Sequence, residues 1–243
     1  MSEPLLNSRD TIRLRPFQDK DGERVREIYL KAMLTGASSP TYMALKAQLT
    51  RPWALYFYAQ MVFGAVLVLR APTVAVRLGG GILVVSALGL LYAWRRNTRK
   101  VFETFTGMAV TGDLADVLKH YSAPGSGFWV AEITNGKDTG KVVGCVGLDS
   151  SASPEPGTAE LRRMAVLPEL QGHGVGTRLL STLIIHAREK NLTTITLNTS
   201  MYQVAAMNMY EAAGFKEVQR VLRTVKFLFI SSSATVHFFS MTL

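Results

Sequence analysis

Glu160-Leu161-Arg162-Arg163-Met164-Ala165-Val166-Leu167-Pro168-Glu169-Leu170-Gln171-Gly172-His173-Gly174-Val175-Gly176-Thr177-Arg178-Leu179-Leu180 reads as a β-strand, a tight glycine turn and the start of a helix. Glycines at alternate positions remove the Cβ atoms that would hold a ligand off the backbone, and the helix leaves its first amide N–H groups without intrahelical acceptors. Such a turn suits an anion. Spacing narrows which one. A P-loop needs Gly-Lys-Ser/Thr entering the helix, where this chain has Gly176-Thr177-Arg178. A dinucleotide fingerprint needs glycines first, third and sixth, whereas Gly172, Gly174 and Gly176 stand first, third and fifth.

Downstream, Thr193-Thr194-Ile195-Thr196-Leu197-Asn198 is a β-branched strand, followed by a short helix over 204–213 with Gly214 where a helix end wants a left-handed residue. Two patterns stand out: Gln171-x-x-Gly174-x-Gly176 after Val166-x-Pro168-Glu169, and Ala206-x-x-x-Tyr210-x-x-x-Gly214-Phe215. Together they resemble the acetyl-CoA signature and a second conserved stretch of the GNAT superfamily of N-acetyltransferases. The first alone also fits a glycine-rich strand-to-helix connection without a ligand. The resemblance implies an α/β GNAT fold, a mixed and mostly antiparallel central sheet flanked by helices. It also implies acetyl-CoA as co-substrate, with the CoA site within 160–215. Met164, Ala165 and Val166 would line it, and the backbone at Gln171, Gly172, His173, Gly174, Val175, Gly176 and Thr177 would hold the pyrophosphate. Gln203 stands three residues before Ala206, where the superfamily usually has Asn.

The 243 residues suffice for one sizeable α/β domain with something extra. Apolar residues make up 48% and mean hydropathy is +0.16, with the excess concentrated in one place. The opening residues are polar and lack an apolar core, so no secretory signal is expected. Residues 11–17 alternate like an edge strand, and 20–35 carry Val25, Ile28, Tyr29 and Ala32 at helical spacing with Asp19 or Asp21 as N-cap. Then residues 53–69 and 78–94 form two uncharged runs flanking Arg70 and Arg77. As helices each is about 26 Å long against about 30 Å of hydrocarbon, and Gly64, Gly79, Gly80 and Gly81 weaken helix propensity. Two closely spaced spans, a re-entrant or interfacial hairpin and a soluble buried helical pair are the readings open here.

The expected organisation is an N-terminal strand and helix at 1–50, a membrane hairpin at 51–96 and the rest of the domain at 97–243. If strands before and after the hairpin share a sheet, the number of crossings is even. Lys46 and Arg51 before it and Arg95, Arg96, Arg99 and Lys100 after it place the domain in the cytosol by the positive-inside rule. The net charge of +9 does not indicate nucleic acid, because the basic residues are scattered except for that cluster, which suits anionic membrane lipid. One cysteine excludes an internal disulfide; Cys145 lies in an apolar strand, and no Cys/His cluster points to a metal. A capped helix is expected over 111–121, strands at 128–132 and 142–147 joined by a turn at 135–140, a loop at 150–157 and a last strand at 235–243.

The hydrophobic hairpin, Gly125-Ser126-Gly127-Phe128-Trp129-Val130-Ala131, Gly140-Lys141-Val142-Val143-Gly144, the CoA turn and Thr235-Val236-His237-Phe238 together resemble the camello-like N-acetyltransferases. These are membrane-tethered GNAT enzymes of the endoplasmic reticulum that include cysteine S-conjugate, protein-lysine and aspartate N-acetyltransferases. The resemblance implies the membrane and the reaction but leaves the amine open.

Acetyl transfer to an amine needs a neutral nucleophile, a stabilised oxyanion and a proton for the leaving thiolate. A lysine amine near pKa 10.4 is neutral in about one molecule in a few thousand at pH 7, an α-amine near 8 in about one in ten, so a base helps lysine most. Glu160 is the leading base candidate and Glu132 the second. Backbone N–H groups around 164–166 are candidates for the oxyanion, and Arg162-Arg163 hints at a bulge there. Tyr210 occupies the position at which the family places its proton donor. His173 reads as a loop residue within reach of phosphate, and Met201, Met207 and Met209 as core or pantetheine-wall packing. A CoA-binding membrane protein without catalysis and a structural membrane-hairpin protein whose soluble part only scaffolds are the competing readings.

Overall fold

The computed structural model describes residues 12–243; Thr11 and the polar residues before it lie outside the described residues. Strands β1 (Ile12–Pro16), β2 (Gly127–Ile133), β3 (Val142–Asp149), β4 (Thr158–Val166), β5 (Thr194–Ser200), β6 (Lys216–Phe227) and β7 (Ile230–Thr242) form one sheet in the order β1-β2-β3-β4-β5-β7-β6. Every pair is antiparallel except β4 and β5. Helices are α1 (Gly22–Leu34), α2 (Pro40–Ala47), α3 (Pro52–Arg70), α4 (Val74–Thr111), α5 (Val117–His120), α6 (Val175–Glu189) and α7 (Val204–Ala212). The parallel pair requires a crossover, which α6 supplies.

Alternation along β2 sends Trp129 against His186 of α6 on one face, and Phe128 against Phe17 and Tyr121 on the other. α1 covers this second face of β3 and β4, with Val25 and Ile28 fully buried, as their helical spacing requires. β3 is buried along its whole length, as expected of a central strand with both faces covered.

Several elements differ from the sequence-based expectation. Asp21 does not cap α1 through its side chain; its carboxylate accepts the Gln18 N–H at 2.9 Å and pairs with Arg15 at 2.6 Å. α2 was not foreseen, although Ser39 accepting the Tyr42 N–H with Pro40 at the first helical position is a legible start. The expected helix at 111–121 breaks at Gly112-Asp113, because the Asp113 carboxylate is taken by Arg163 and Tyr121; only α5 remains, capped by Asp116. β6 was missed and β7 begins well before residue 235.

α3 and α4 form the inserted hairpin. α4 runs unbroken for 38 residues, about 57 Å, so the boundary expected between 96 and 97 lies within it. Only 17% and 11% of their most apolar windows are buried, so the pair is not enclosed by the rest of the fold; both are long and apolar enough to cross a membrane. Gly64 and Gly80 have a packing role. A Cβ on either would stand 2.7 or 2.6 Å from the other's carbonyl oxygen, so these glycines let the backbones meet. Gln60 adds hydrogen bonds across the pair, from Nε2 to the Leu83 carbonyl at 3.1 Å and Ser86 Oγ at 3.0 Å.

Candidate active site

β4 pairs with β5 at only three positions, Thr158↔Thr194, Ala159↔Ile195 and Glu160↔Thr196. Beyond them both strands continue, β4 held by β3 as far as Val166 and β5 by β7 as far as Ser200. Between Leu161 and Val166 the sheet is therefore open in its middle. The Leu167 N–H donates to Val143 on the β3 side, so alternation turns the Val166 N–H and carbonyl toward the opening. On that side the Val166 carbonyl accepts Gln171 Nε2 at 3.1 Å. Ala165 pairs with Cys145 and faces β3; Met164 shares the phase of Val166. Of the three amides expected at the site, those of Met164 and Val166 are thus on the open side and that of Ala165 is not.

The bulge hinted at by Arg162-Arg163 is present. Register slips between Cys145 and Gly147, and Arg163 sits at φ 55, a left-handed conformation that costs a non-glycine residue about 1–2 kcal/mol. Its side chain offsets this cost. The guanidinium donates to both oxygens of Asp113 at 2.7–2.9 Å and to Tyr29 Oη at 3.2 Å. Burial acts to raise the Asp113 pKa, but the Arg163 and Tyr121 hydrogen bonds outweigh it and hold the carboxyl below its usual range.

The glycine loop follows. A 3₁₀ turn over Pro168–Leu170 leads to Gln171, then Gly172 at φ 79 and Gly174 at φ 78, the residue before α6. Nothing stands within 4 Å of a Cβ built on either glycine, so backbone angle rather than crowding selects them. The first intrahelical bond is Arg178 N–H to the Gly174 carbonyl, leaving the N–H groups of Val175, Gly176 and Thr177 at the helix start. Val175 itself is buried, whereas Thr177 is exposed. Gly176 serves packing: its Cβ would meet Met209 Sδ of α7 at 3.2 Å, so α7 closes on the start of α6. Gln171 Oε1 also accepts Ser38 Oγ at 2.6 Å, tying the α1–α2 loop to the opening. His173 is exposed, with Nδ1 3.0 Å from the Gln171 carbonyl. Gln203 Oε1 accepts from Thr199 Oγ1 at 3.1 Å and the Ser200 N–H at 3.3 Å, so it fastens the end of β5 to α7.

Glu160 stands at the last β4–β5 pair, where the opening begins. Burial raises its pKa, the Arg162 charge opposes this, and the net direction is upward. Asn198 Nδ2 donates to its Oε1 at 2.8 Å and Arg162 Nε lies 3.6 Å from Oε2. Arg162 and His120 both reach Asp149 Oδ2, at 3.0 and 3.1 Å. Sequence reasoning missed this cluster. Arg162 shares a strand face with Glu160 and was legible; Asp149 and Asn198 follow only from the pairing register, and His120 only from the tertiary fold.

Glu132, the second base candidate, lies on β2, where Arg15, the largest influence, and Arg13 pair with its carboxylate and lower its pKa. Tyr210 is buried against Phe215 and Phe239, and burial alone raises its phenol pKa. Cys145 is fully buried and its thiol is pushed up to about 12, far from the thiolate a nucleophile needs.

The acetyltransferase (GNAT) family profile matches residues 92–215, from the middle of α4 to the residue before β6. N-acetylaspartate synthetase of Danio rerio is 28% identical over 89% of this chain and 71% of its own length. N-acetyltransferase 8 of Mus musculus is 29% identical over 85% of each chain. Among solved structures, a putative acetyltransferase of Salmonella typhimurium, solved with its cofactor acetyl-CoA, superposes with a TM-score of 0.51 at 17% identity, covering 96% of this chain and 94% of that one. The chain belongs to the acetyltransferase (GNAT) family and is an acyltransferase, with the opening beside β4 as its candidate active site.

Proposed function

We propose that the protein is a membrane-anchored N-acetyltransferase that moves an acetyl group directly from acetyl-CoA to a primary amine. The observation that carries this reading is the open edge of β4 running from Glu160 into a glycine-cradled helix start. Acetyl-CoA supplies the activated thioester. The N–H groups of the 171–177 loop and helix start would hold its pyrophosphate, and the walls at Val166 and Met209 its pantetheine arm. The Met164 N–H, about 7 Å along the strand from that of Val166 and nearer to Glu160, meets the charge that develops on the carbonyl oxygen as the amine nitrogen bonds to carbon.

Glu160 takes the amine proton, directly or through water, and its raised pKa makes it a stronger base than an ordinary carboxylate. Tyr210 points to a limit. A phenol near 10 is a weaker acid than a thiol near 8.5, so transfer to the departing thiolate runs uphill by about 2 kcal/mol, and burial adds to this. Tyr210 therefore acts chiefly as a neutral hydrogen-bond donor to sulfur, and the thiolate takes its final proton from solvent. The exposed apolar faces of α3 and α4 would anchor the enzyme in the endoplasmic reticulum membrane, with the flanking arginines and lysines in the cytosol.

The relatives' names make aspartate the first acceptor to test, beside S-substituted cysteines and lysine peptides. Free thiol release from acetyl-CoA by detergent-solubilised protein should appear with one acceptor class and fall in Tyr210→Phe. No release with any acceptor, while acetyl-CoA still raises the melting temperature, would favour a CoA-binding protein without catalysis. Wild-type rates in Tyr210→Phe would remove that residue from the chemistry.

A further inference from the structure

We infer that the tip of the β6–β7 hairpin is a third lipid contact, inserted beside α3 and α4 on the side of the membrane that carries the catalytic domain. This rests on the anchoring reading above. Phe227 pairs with Ile230, so Leu228 and Phe229 form a two-residue turn, with Leu228 at φ 51. Such turns favour Asn-Gly because positive φ is costly for a side chain like leucine. The chain instead places two large apolar residues there and leaves them 69% and 56% exposed. Nothing in the packing of the sheet calls for this pair, and in water it is unfavourable twice over.

The position of the tip supplies a reason. The Phe229 ring lies 5.3 Å from Trp53, at the start of α3. Ile230 is fully buried in a cluster with Ala54, Phe57, Ala87 and Trp94, and Phe227 packs on its edge. Trp94 Nε1 donates to Ser232 Oγ at 3.2 Å, fixing the hairpin to α4. The turn is thus level with the first turns of the charge-free stretch of α3, up to about 6 Å past Trp53. Leu55 and Tyr56 of that stretch are themselves exposed, so the apolar surface continues from helix to turn. Arg51, Arg95 and the exposed Lys226 stand on the domain side of this band, as cations at a headgroup layer would. A bilayer that accepts α3 and α4 meets the tip at the same depth, so hydrocarbon is the occupant the surface fits.

Spin labels on the full chain in phosphatidylcholine–phosphatidylserine vesicles test this. The one native cysteine, Cys145, is fully buried, so labels on Leu228→Cys, Val62→Cys in mid-α3 and Lys190→Cys on the far end of α6 report their own sites. The ratio of collision with oxygen to collision with a water-soluble nickel chelate should be several-fold higher at 228 than at 190, and below that at 62. Equal ratios at 228 and 190, with 62 in lipid, would overturn the tip contact alone. A water-exposed label at 62 would overturn the anchoring reading and the tip contact together. Shielding of 228 from both reagents, with dipolar broadening between labels, would assign the tip to a second copy of the chain instead.

Discussion

The two edges of β4 receive opposite treatment. Toward β3 the strand is paired along most of its length, and even its bulge is secured by a buried ion pair from the far end of α4. Toward β5 it pairs three times and then presents bare backbone to a gap. One edge keeps the strand in place so that the other can be left open. In an ordinary sheet unpaired central amides would be costly, and here they are the groups a reacting carbonyl needs.

The comparison is broken most severely at the secured edge. Asp113→Ala leaves Arg163 buried without its carboxylate, and chemical denaturation should show a loss of about 3–5 kcal/mol. The sign with pH follows. Because the folded-state pKa of Asp113 is depressed, its contribution is present above the ordinary carboxylate range and is lost as pH falls through the folded value. The variant should lack that part of the acid-sensitive limb. At the open edge, Glu160→Gln should lower kcat by about 10²–10⁴ with a lysine acceptor while the melting temperature changes little; an unchanged kcat would send the base elsewhere. Gly174→Ala imposes a left-handed conformation costing about 1–2 kcal/mol, which chemical denaturation should show as a loss of that size. The mildest test is Arg162→Gln. The acid limb of kcat/KM follows deprotonation of Glu160, and removing a charge that lowers its pKa should move that limb to higher pH. A downward move would contradict the assignment.

Much of the open edge was legible in the sequence. Alternate glycines, the β-branched strand after them and Gly214 at φ 101 are local signals, and each element stands where its residues place it. The secured edge was far less so. Arg163 and Asp113 are separated by fifty residues, and Asp113 read as the start of a helix because nothing nearby shows that its carboxylate is needed elsewhere. The arginines after Trp94 suggested the end of the hairpin, but charged residues end a membrane-compatible stretch, not a helix, and α4 continues to Thr111. β6 is an edge strand exposed along most of its length, so it lacks the alternation by which strands are recognised.

The length of α4 has a further consequence. One hydrogen-bonded rod joins the turn of the apolar hairpin to the residue before Gly112, and Asp113 just beyond holds the strand of the open edge. No loop lies between to act as a universal joint. Where the hairpin is seated in a bilayer, the domain inherits the rod's orientation, and a thicker or thinner membrane re-aims the cleft rather than leaving it free to swivel.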